Sequence, residues 1–387
     1  MKNLIGVGLF VTLFSLSVSA QDIIKSSPTF TYGGFAKLDF MVTEFNDGRP
    51  SEDSPLRDIH LPAAIPVGDE VRGFDTHMHV KESRFYTDFA SELFESPIHA
   101  YMELDFLLSA AGDERVSNSY NPRIRHFYFE YKNFLFGQTW STFMIVILPE
   151  DLDFTGAAEG LVFNRQPQLR YTSGNWQFAI ENPETTFTPN GGGSFIISSG
   201  GFPDLVVRRN FPFEGGTVSL AAMGRIPRYY DDEGERYGTF GLGLTGGGKI
   251  NVGERDDIRF MATYGKGMGR YIGLAFLTSA VIQDNLELQT IDSFNGYLAY
   301  LHHWNKKWKS SFNAAFLNAH NPAEFTGPDV NKSAWSVSGN IIFQPAPELF
   351  LGAEIMHAVR ELEGGMDGSF TRLQISARYS FDFKTKI

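Results

Sequence analysis

Residues 370–383, near the C-terminal end, alternate between apolar and polar side chains at almost every step. The odd positions from 373 carry the apolar set and the even positions from 372 the polar set: Leu373, Ile375, Ala377, Tyr379, Phe381 and Phe383 against Arg372, Gln374, Ser376, Arg378, Ser380 and Asp382. Side chains of a β-strand point alternately to its two faces, so this segment predicts a strand with one apolar and one polar face. A soluble β-sandwich would also alternate, but it would bury its apolar face.

The same alternation recurs through most of the chain after Thr29. It predicts about sixteen strands, and single-chain bacterial outer-membrane barrels have an even number of them. The predicted strands lie near 30–43, 78–90, 97–108, 122–132, 134–140, 165–173, 175–182, 203–211, 216–226, 236–251, 255–266, 291–304, 307–318, 332–344, 347–360 and 370–383.

The connections between these strands alternate in length. The long ones are 44–77, 109–121, 141–164, 183–202, 227–235, 267–290, 319–331 and 361–369, and the short ones include 132–133, 173–175, 251–254, 305–306 and 345–346. Outer-membrane barrels have tight periplasmic turns and large external loops, so this pattern places both chain termini on the periplasmic side. A β-sandwich has no reason to alternate its loop lengths in this way.

The overall composition is that of a soluble protein. Charged residues make up 20% of the chain, and no segment after the first twenty residues has the run of about 18 apolar residues that a membrane helix needs. Yet the chain contains 36 Phe and 39 Gly. A membrane β-barrel reconciles these facts, because only alternate residues of its strands face lipid. We therefore predict an all-β fold, a transmembrane antiparallel β-barrel whose sixteen strands leave an aqueous lumen.

Residues 1–20 have the features of a secretory signal. A basic residue precedes an apolar run, 4–16, and small residues end the segment at Ala20. Such a segment is removed on export. The predicted organisation of the remaining chain is a short periplasmic segment, 21–29, the barrel, 30–383, and a C-terminal tail, 384–387.

Several kinds of chemistry are disfavoured. The chain has no cysteine, which excludes disulfides and thiolate chemistry, and its formal charge of −12 disfavours a nucleic acid as partner. His77 and His79 would share one face of a strand, with Asp75 close by, whereas His302 and His303 would point to opposite faces. Neither pair has a strong metal-ligand spacing, so we predict no metal and no cofactor. No set of catalytic residues is evident, and we predict that the chain is not an enzyme.

The segment 141–164 is the best candidate for a loop that folds into the lumen and sets its narrowest point. It combines an apolar stretch with acidic residues and carries little that would suit a free external loop. The alternative is an external loop packed on the rim of the barrel. The residues assigned to this constriction are Trp140, Phe143, Glu150, Asp151 and Asp153.

Several arginines are predicted to line the pore. In a strand, the side chain of Arg84 points to the same face as those of Tyr86 and Asp88, and this face is the polar one. Guanidinium groups on a pore wall attract carboxylates and phosphates and can select anions. The alternative is that they only balance acidic residues across the wall, such as Glu103 and Asp105. The predicted pore-lining set is Arg84, Arg123, Arg125, Arg165, Arg170, Arg225 and Arg259.

The stretch Gly137-Gln138-Thr139-Trp140-Ser141-Thr142-Phe143 joins a predicted strand to the predicted inward loop. It resembles an element that has the same place in the DcaP-like outer-membrane porins. The likeness spans nearly the whole mature chain. Other matching pieces are Gly34-Phe35-Ala36-Lys37-Leu38-Asp39, Ser83-Arg84-Phe85, Arg123-Ile124-Arg125-His126, Arg165-Gln166-Pro167-Gln168-Leu169-Arg170-Tyr171, Gly269-Arg270-Tyr271 and His303-Trp304.

The resemblance implies a trimeric porin of the bacterial outer membrane, in contact with membrane lipids and lipopolysaccharide. It also implies passive uptake of small polar solutes, above all anions such as dicarboxylates, through an arginine-bearing constriction. The matched arginines are Arg84, Arg123, Arg125, Arg165 and Arg170. Some members carry an N-terminal coiled coil, which we do not expect here. Such barrels usually end on an aromatic residue, whereas Phe383 is followed by four further residues.

An alternative function belongs to a different class. Long loops, above all 44–77, would also suit a surface-binding or adhesive barrel whose lumen is closed. Conductance separates the two hypotheses, because only a porin passes ions. Acidic residues beside the arginines could also reverse the selectivity of the pore.

Overall fold

A computed structural model describes residues 28–108, 118–198, 201–231 and 233–386. The predicted signal segment, 1–20, and most of the predicted periplasmic segment, 21–29, lie outside these residues. Within the described ranges the chain forms a closed antiparallel β-barrel of sixteen strands, as predicted. No helix in these ranges is long and apolar enough to cross a membrane.

The barrel strands follow the order of the chain, and each pairs with its sequence neighbours. They are β1 Thr29–Phe45, β2 in two segments Gly73–His79 and Arg84–Leu93, β3 Ser96–Asp105, β4 Arg123–Tyr131, β5 Phe134–Trp140, β6 Arg165–Ser173, β7 Trp176–Glu181, β8 Asp204–Phe213, β9 Gly216–Arg225, β10 Gly241–Val252, β11 Asp256–Lys266, β12 Asp292–His303, β13 Trp308–His320, β14 Asn331–Ala346, β15 Leu349–Leu362 and β16 Asp367–Lys386.

The first and last strands close the barrel. They pair from Thr29 opposite Lys386 to Phe45 opposite Phe370, so β16 extends past its predicted end at 383 and includes most of the predicted tail. The predicted alternation is confirmed in this strand, because Tyr379 is 57% exposed on the outside whereas Arg372 is 2% exposed on the inside. An apolar outer face and a polar inner face are what a barrel in lipid requires.

The strand predicted at 78–90 is interrupted. Its first segment pairs with the second half of β1 and its second segment with the first half. Between them the N–H of Ser83 donates to the carbonyl oxygen of Val80 at 3.0 Å and closes a turn. The Ser83 hydroxyl in turn accepts from the N–H of Lys37, also at 3.0 Å, which ties the break to β1.

Loop lengths alternate as predicted. Short turns lie at 94–95, 132–133, 174–175, 214–215, 253–255, 304–307 and 347–348. The loops at the other end are L1 46–72, L2 106–122, L3 141–164, L4 182–203, L5 226–240, L6 267–291, L7 321–330 and L8 363–366. L8 is shorter than predicted because β15 and β16 pair further, to Glu361 opposite Asp367.

The long loops carry short elements of their own. L1 has 3-10 turns at Pro55–Arg57 and Pro62–Ala64, L3 has one at Ala158–Gly160, and L6 has one at Gly269–Tyr271. L4 and L6 share a small sheet of the strands Thr185–Thr188, Ile196–Ser198, Ala280–Ile282 and Leu288–Thr290. L5 forms the hairpin Arg228–Tyr230 and Arg236–Gly238, and L7 contains the helix Ala323–Thr326.

The largest apolar cluster lies inside the barrel and is built around L3. Phe143 and Leu161 of L3 are fully buried against Met268 and Tyr271 of L6 and against inward residues of the wall such as Tyr297. An aqueous lumen would leave these side chains in water, so their burial stabilises L3 in its inward position. The inward loop predicted at 141–164 is therefore present.

Candidate functional site

L3 enters the lumen directly after β5, and a buried glutamate fixes its first turn. Glu181, the last residue of β7, accepts from the Ser141 hydroxyl and from the Thr142 N–H, both at 2.7 Å. Trp140, predicted in the constriction, ends β5 just before this turn. Phe143 follows it and packs edge-on against Tyr271, with ring centroids 6.2 Å apart. Phe143 is thus an anchor of L3 and does not contact the lumen water.

The first acidic residue of L3 points at the wall. Glu150 pairs with Arg259 of β11 at 2.9 Å and with Lys309 of β13. Burial alone would raise the pKa of Glu150, but these two cations hold the pKa below its ordinary value. Arg259 also binds Asp257 at 2.7 Å and the Leu148 carbonyl at 2.7 Å. Arg259, predicted to line the pore, is therefore engaged in fastening L3.

The next two acidic residues of L3 also contact the wall. Asp151 accepts from Asn313 at 2.7 Å, and Asp153 lies 3.5 Å from Arg372 of β16. Burial raises the pKa of Asp151 well above its ordinary value, and the neighbouring Glu354 and Asp153 raise it further. The acidic groups predicted for the constriction thus contact the wall.

Four arginines gather around aromatic rings of β1, β5 and L3. We call them the arginine cluster: Arg84, Arg123, Arg125 and Arg165. The guanidinium of Arg165 lies 4.6 Å from the ring centroid of Trp140. That of Arg125 lies 5.1 Å from Phe154, and that of Arg84 lies 5.2 Å from Phe35. Aromatic faces attract cations without neutralising them.

A bulge aims Arg125 into this cluster. Glu103 of β3 pairs with His126, and the next residue of β3 pairs with Ile124, so Arg125 is an extra residue on β4. A bulge changes the direction of a side chain relative to simple alternation. Arg123 and Arg125 both contact Asp105, whereas Phe127, two residues further along β4, is exposed on the outside.

Two carboxylates serve the arginine cluster. Asp105 accepts from Arg123 and Arg125, each at 2.8 Å, while Glu103 accepts from Arg125 at 2.5 Å and lies 3.8 Å from Arg84. Arg165 has no ion pair among the residues that the structure describes, and its buried Nη1 has no hydrogen-bond partner there. The four positive charges therefore exceed these carboxylates by two.

The neighbouring charges on β1 and β16 do not cancel this excess. Lys37 binds Glu82 and lies 3.3 Å from Asp39. Arg378 of β16 lies 5.4 Å from the Phe35 ring, and the described residues offer it no ion pair. Two cations and two carboxylates therefore balance each other beside the arginine cluster.

Two further arginines continue along the inner wall beyond β5. Arg170 of β6, which was predicted, has no ion pair in the described ranges. Arg208 of β8 was not predicted, and its Nη1 donates to the Met144 carbonyl at 3.0 Å. The signal for Arg208 was present, because it shares the inward parity of the buried Asp204 and Val206.

Arg225 lies elsewhere. It is fully buried beneath L4 and L6, where it binds Asp204 at 3.3 Å and the Glu184 carbonyl at 3.0 Å. Its inward parity was read correctly from the sequence, but the loops that cover it cannot be read from parity. Arg225, predicted to line the pore, instead joins the two loops to the wall.

The histidines of β2 form a compact polar cluster with L1. Ligand atoms of Asp58, His77 and His79 lie within 4.8 Å of one another. The ammonium of Lys81 lies 2.9 Å from both Asp58 oxygens and balances the carboxylate. Burial would raise the pKa of Asp58, but hydrogen bonds from His77 and the charge of Lys81 hold it below its ordinary value. Asp75, expected beside the histidines, binds Arg57 at 3.0 Å instead.

Comparison with known proteins agrees with this architecture. The family model of the DcaP outer membrane protein matches residues 76–381. The solved outer membrane channel DcaP of Acinetobacter baumannii is 19% identical, with a TM-score of 0.74 over 92% of this chain and 98% of that chain. No curated protein matches the sequence.

More distant porins share the fold. An anion-selective porin from Comamonas acidovorans is 12% identical, with a TM-score of 0.54 over 91% of this chain and all of that chain. The trimer form of OmpT from Vibrio cholerae is 11% identical, with a TM-score of 0.53 over 92% of this chain and all of that one. Because the family model matches most of this chain, the chain belongs to the DcaP outer membrane protein family and is an outer-membrane porin.

Proposed function

We propose that this porin favours small anions, dicarboxylates in particular, over neutral and cationic solutes of the same size. The observation that carries the proposal is the excess of two positive charges in the arginine cluster, with Arg165 lacking a carboxylate partner among the described residues. Glu150 and Asp153 of L3 do not oppose it, because the wall cations Arg259 and Arg372 pair with them. Rings of charged side chains are a general means of ion selection in pores.

A dicarboxylate fits this arrangement for a geometric reason. Guanidinium groups bind carboxylates through paired hydrogen bonds. The side chains of Arg84 and Arg165 are partly exposed, and the described residues place one carboxylate, Glu103 at 3.8 Å from Arg84, within ion-pair distance of them. A solute with two carboxylates would meet two of these cations at once, and Arg170 and Arg208 supply further cations along the wall.

Solute flux into proteoliposomes tests the proposal. Succinate and succinamide have nearly the same size and shape, and only succinate is charged. We expect succinate to enter faster than succinamide, and the diamine putrescine to enter slowest. Equal rates for all three, or the reverse order, would contradict the proposed selectivity while leaving the porin intact. Absence of flux would favour an adhesive barrel with a closed lumen.

We further propose that the porin is exported with removal of residues 1–20 and assembles as a homotrimer in contact with lipid and lipopolysaccharide. The trimer form of a relative with the same fold supports this. Outward aromatic residues such as Tyr379 and Phe383 provide an apolar face for lipid or a partner subunit. N-terminal sequencing should begin at Gln21, and light scattering in detergent should give three times the mass of the mature chain.

A further inference from the structure

L3 is not the sole loop that occupies the lumen. Residues 54–65 of L1, here called the L1 insert, contain side chains that are inaccessible to solvent: Leu56, Ile59, His60 and Ile65 are at most 1% exposed. Since L1 joins two adjacent strands at the end of the barrel, such burial requires the L1 insert to turn inward. It takes up cross-section that sixteen strands would otherwise leave to water.

The L1 insert binds L3 through hydrogen bonds of His60. The His60 N–H donates to Asp153 at 2.9 Å, and its carbonyl accepts from the Thr155 hydroxyl at 3.0 Å. Its Nε2 lies 2.6 Å from Glu159, and both side chains are fully buried. Glu159 also accepts from Ser336 of β14 at 2.8 Å, so L1, L3 and the wall meet at one carboxylate.

The wall holds the L1 insert from the other side. Arg372 of β16 donates to the Leu56 carbonyl at 2.5 Å, and Arg360 of β15 donates to the Ile65 carbonyl at 2.7 Å. Leu56 and Ile65 pack with Phe370 and further apolar side chains of β15 and β16. Buried guanidiniums that bind backbone carbonyls fix the position of the main chain, independent of the loop side chains.

The sequence of the L1 insert favours this rigid course. Pro55 and Pro62 each begin a 3-10 turn, where the missing proline N–H costs no hydrogen bond. Ser54 caps the first turn by accepting from the Leu56 N–H at 3.3 Å. Asp58 then binds Lys81 and His77 of the β2 region. The segment is therefore tied at its start, its middle and its end.

We propose that the L1 insert is a second pore-restricting element, and that His60 is a positioning residue that keeps L3 in place through Glu159. This inference rests on the chain forming an open pore, but it does not depend on the sign of the ion selectivity. Two loops then limit the size of the solutes that pass. Weakening the contacts of the L1 insert increases the movement of L3.

Cysteine accessibility tests the buried position of the L1 insert in a chain that has no cysteine of its own. Ile59→Cys places a thiol at a buried site, and Val71→Cys is the matched control in the same loop, because Val71 is 63% exposed. A charged thiol reagent should label Ile59→Cys at least about tenfold more slowly, as expected for a site that reacts only after local opening. Equal labelling rates would overturn the inference.

Single-channel recording tests the restriction itself. Replacing residues 55–64 by a Gly-Ser linker of equal length should raise the conductance, with heat-modifiable migration on gels as the control for a folded barrel. An unchanged conductance would contradict the pore-restricting role of the L1 insert but not the porin function. A wild-type channel that never conducts would contradict the porin function as well.

Two substitutions at one site test the role of His60. His60→Leu fills the volume but removes the contact with Glu159, and it should increase current fluctuations of the open channel. His60→Gln keeps a donor and should restore quiet openings, and Asp53→Asn on the exposed part of L1 is the control. Fluctuations that are the same in all three variants and the wild type would refute the positioning role.

Discussion

Arg165 differs from the other members of the arginine cluster in its surroundings. Arg84, Arg123 and Arg125 each have a carboxylate within ion-pair distance, whereas Arg165 has the faces of Trp140 and Phe163 at 4.6 and 5.7 Å. Aromatic faces stabilise the cation but do not neutralise its charge. This residue therefore contributes most to the unbalanced charge.

Replacing Arg165 by Gln should reduce anion preference. Loss of one charge about 7 Å from a permeating ion removes about 0.6 kcal/mol of attraction for an anion and about 0.6 kcal/mol of repulsion for a cation in a water-like dielectric, so the anion-to-cation permeability ratio should fall about sevenfold. Arg209→Gln is the matched control, because Arg209 is exposed on the outer face, against Trp176. A permeability ratio unchanged by Arg165→Gln, or one reduced equally by Arg209→Gln, would contradict this assignment.

The sequence predicted these arginines unevenly. Alternation correctly gave the inward direction of Arg84, Arg170 and Arg225. It could not show that L4 and L6 cover Arg225 or that the β4 bulge brings Arg125 to Asp105, because both depend on loop packing and strand register. The same alternation indicates an inward Arg208, which was not among the predicted residues.

At the scale of elements, L3 depends on a close approach to the wall. A Cβ atom at Gly160 would lie 2.5 Å from the carbonyl oxygen of Gly296 on β12, and that oxygen is backbone that cannot move aside. Gly160 thus allows the 3-10 turn of L3 to touch the strand. The close contact between L3 and β12 is possible because Gly160 has no side chain.

Gly160→Val should therefore displace L3. We expect protease cleavage within 141–164 and a noisier channel, while the barrel itself remains folded. Gly224→Ala is the matched control, because a Cβ there meets nothing within 4 Å. If Gly160→Val resists protease as well as the wild type does, L3 is not held by this contact.

The anchor at Glu150 gives L3 a defined pH dependence. Because Lys309 and Arg259 keep the pKa of Glu150 below its ordinary value, the ion pairs stabilise L3 fully above the unfolded glutamate pKa of about 4.3. The contribution is lost as pH falls through the lowered pKa. Asp151 behaves in the opposite sense, since its raised pKa favours the neutral form in the folded loop.

We expect open-channel noise to increase as pH falls below about pH 4, where Glu150 loses its charge. Glu150→Gln should show the increased noise already at neutral pH. Glu324→Gln, on the exposed helix of L7, is the control and should behave as the wild type. Noise at neutral pH that is the same in Glu150→Gln as in the wild type would refute the role assigned to Glu150.

At the scale of the molecule, closure of the barrel rests on the pairing of β1 with β16. That pairing extends to Thr29 opposite Lys386, so residues 384–386 are part of the wall. Deleting 384–387 leaves Tyr32 opposite Phe383 as the last pair and removes three cross-strand pairs, which costs about 1–3 kcal/mol. The variant should still close, with a lower unfolding temperature in heat-modifiability gels, and failure to close would show that these pairs are essential.

The overall architecture was the most predictable property of this chain. Alternation and loop length together predicted sixteen strands, the closed barrel and the inward loop. The two faces of a strand in lipid differ in polarity, and this difference appears in the sequence as alternation of apolar and polar residues. The break in β2 and the inward course of L1 were not predicted. Both depend on contacts between residues far apart in sequence, such as His60 with Glu159 and Arg372 with Leu56.

The reversal potential of single wild-type channels in a planar bilayer under a salt gradient measures ion selectivity most directly. An excess of positive charge in the arginine cluster predicts a reversal potential displaced towards the equilibrium potential of the anion. A displacement towards the equilibrium potential of the cation would contradict the proposed arginine constriction.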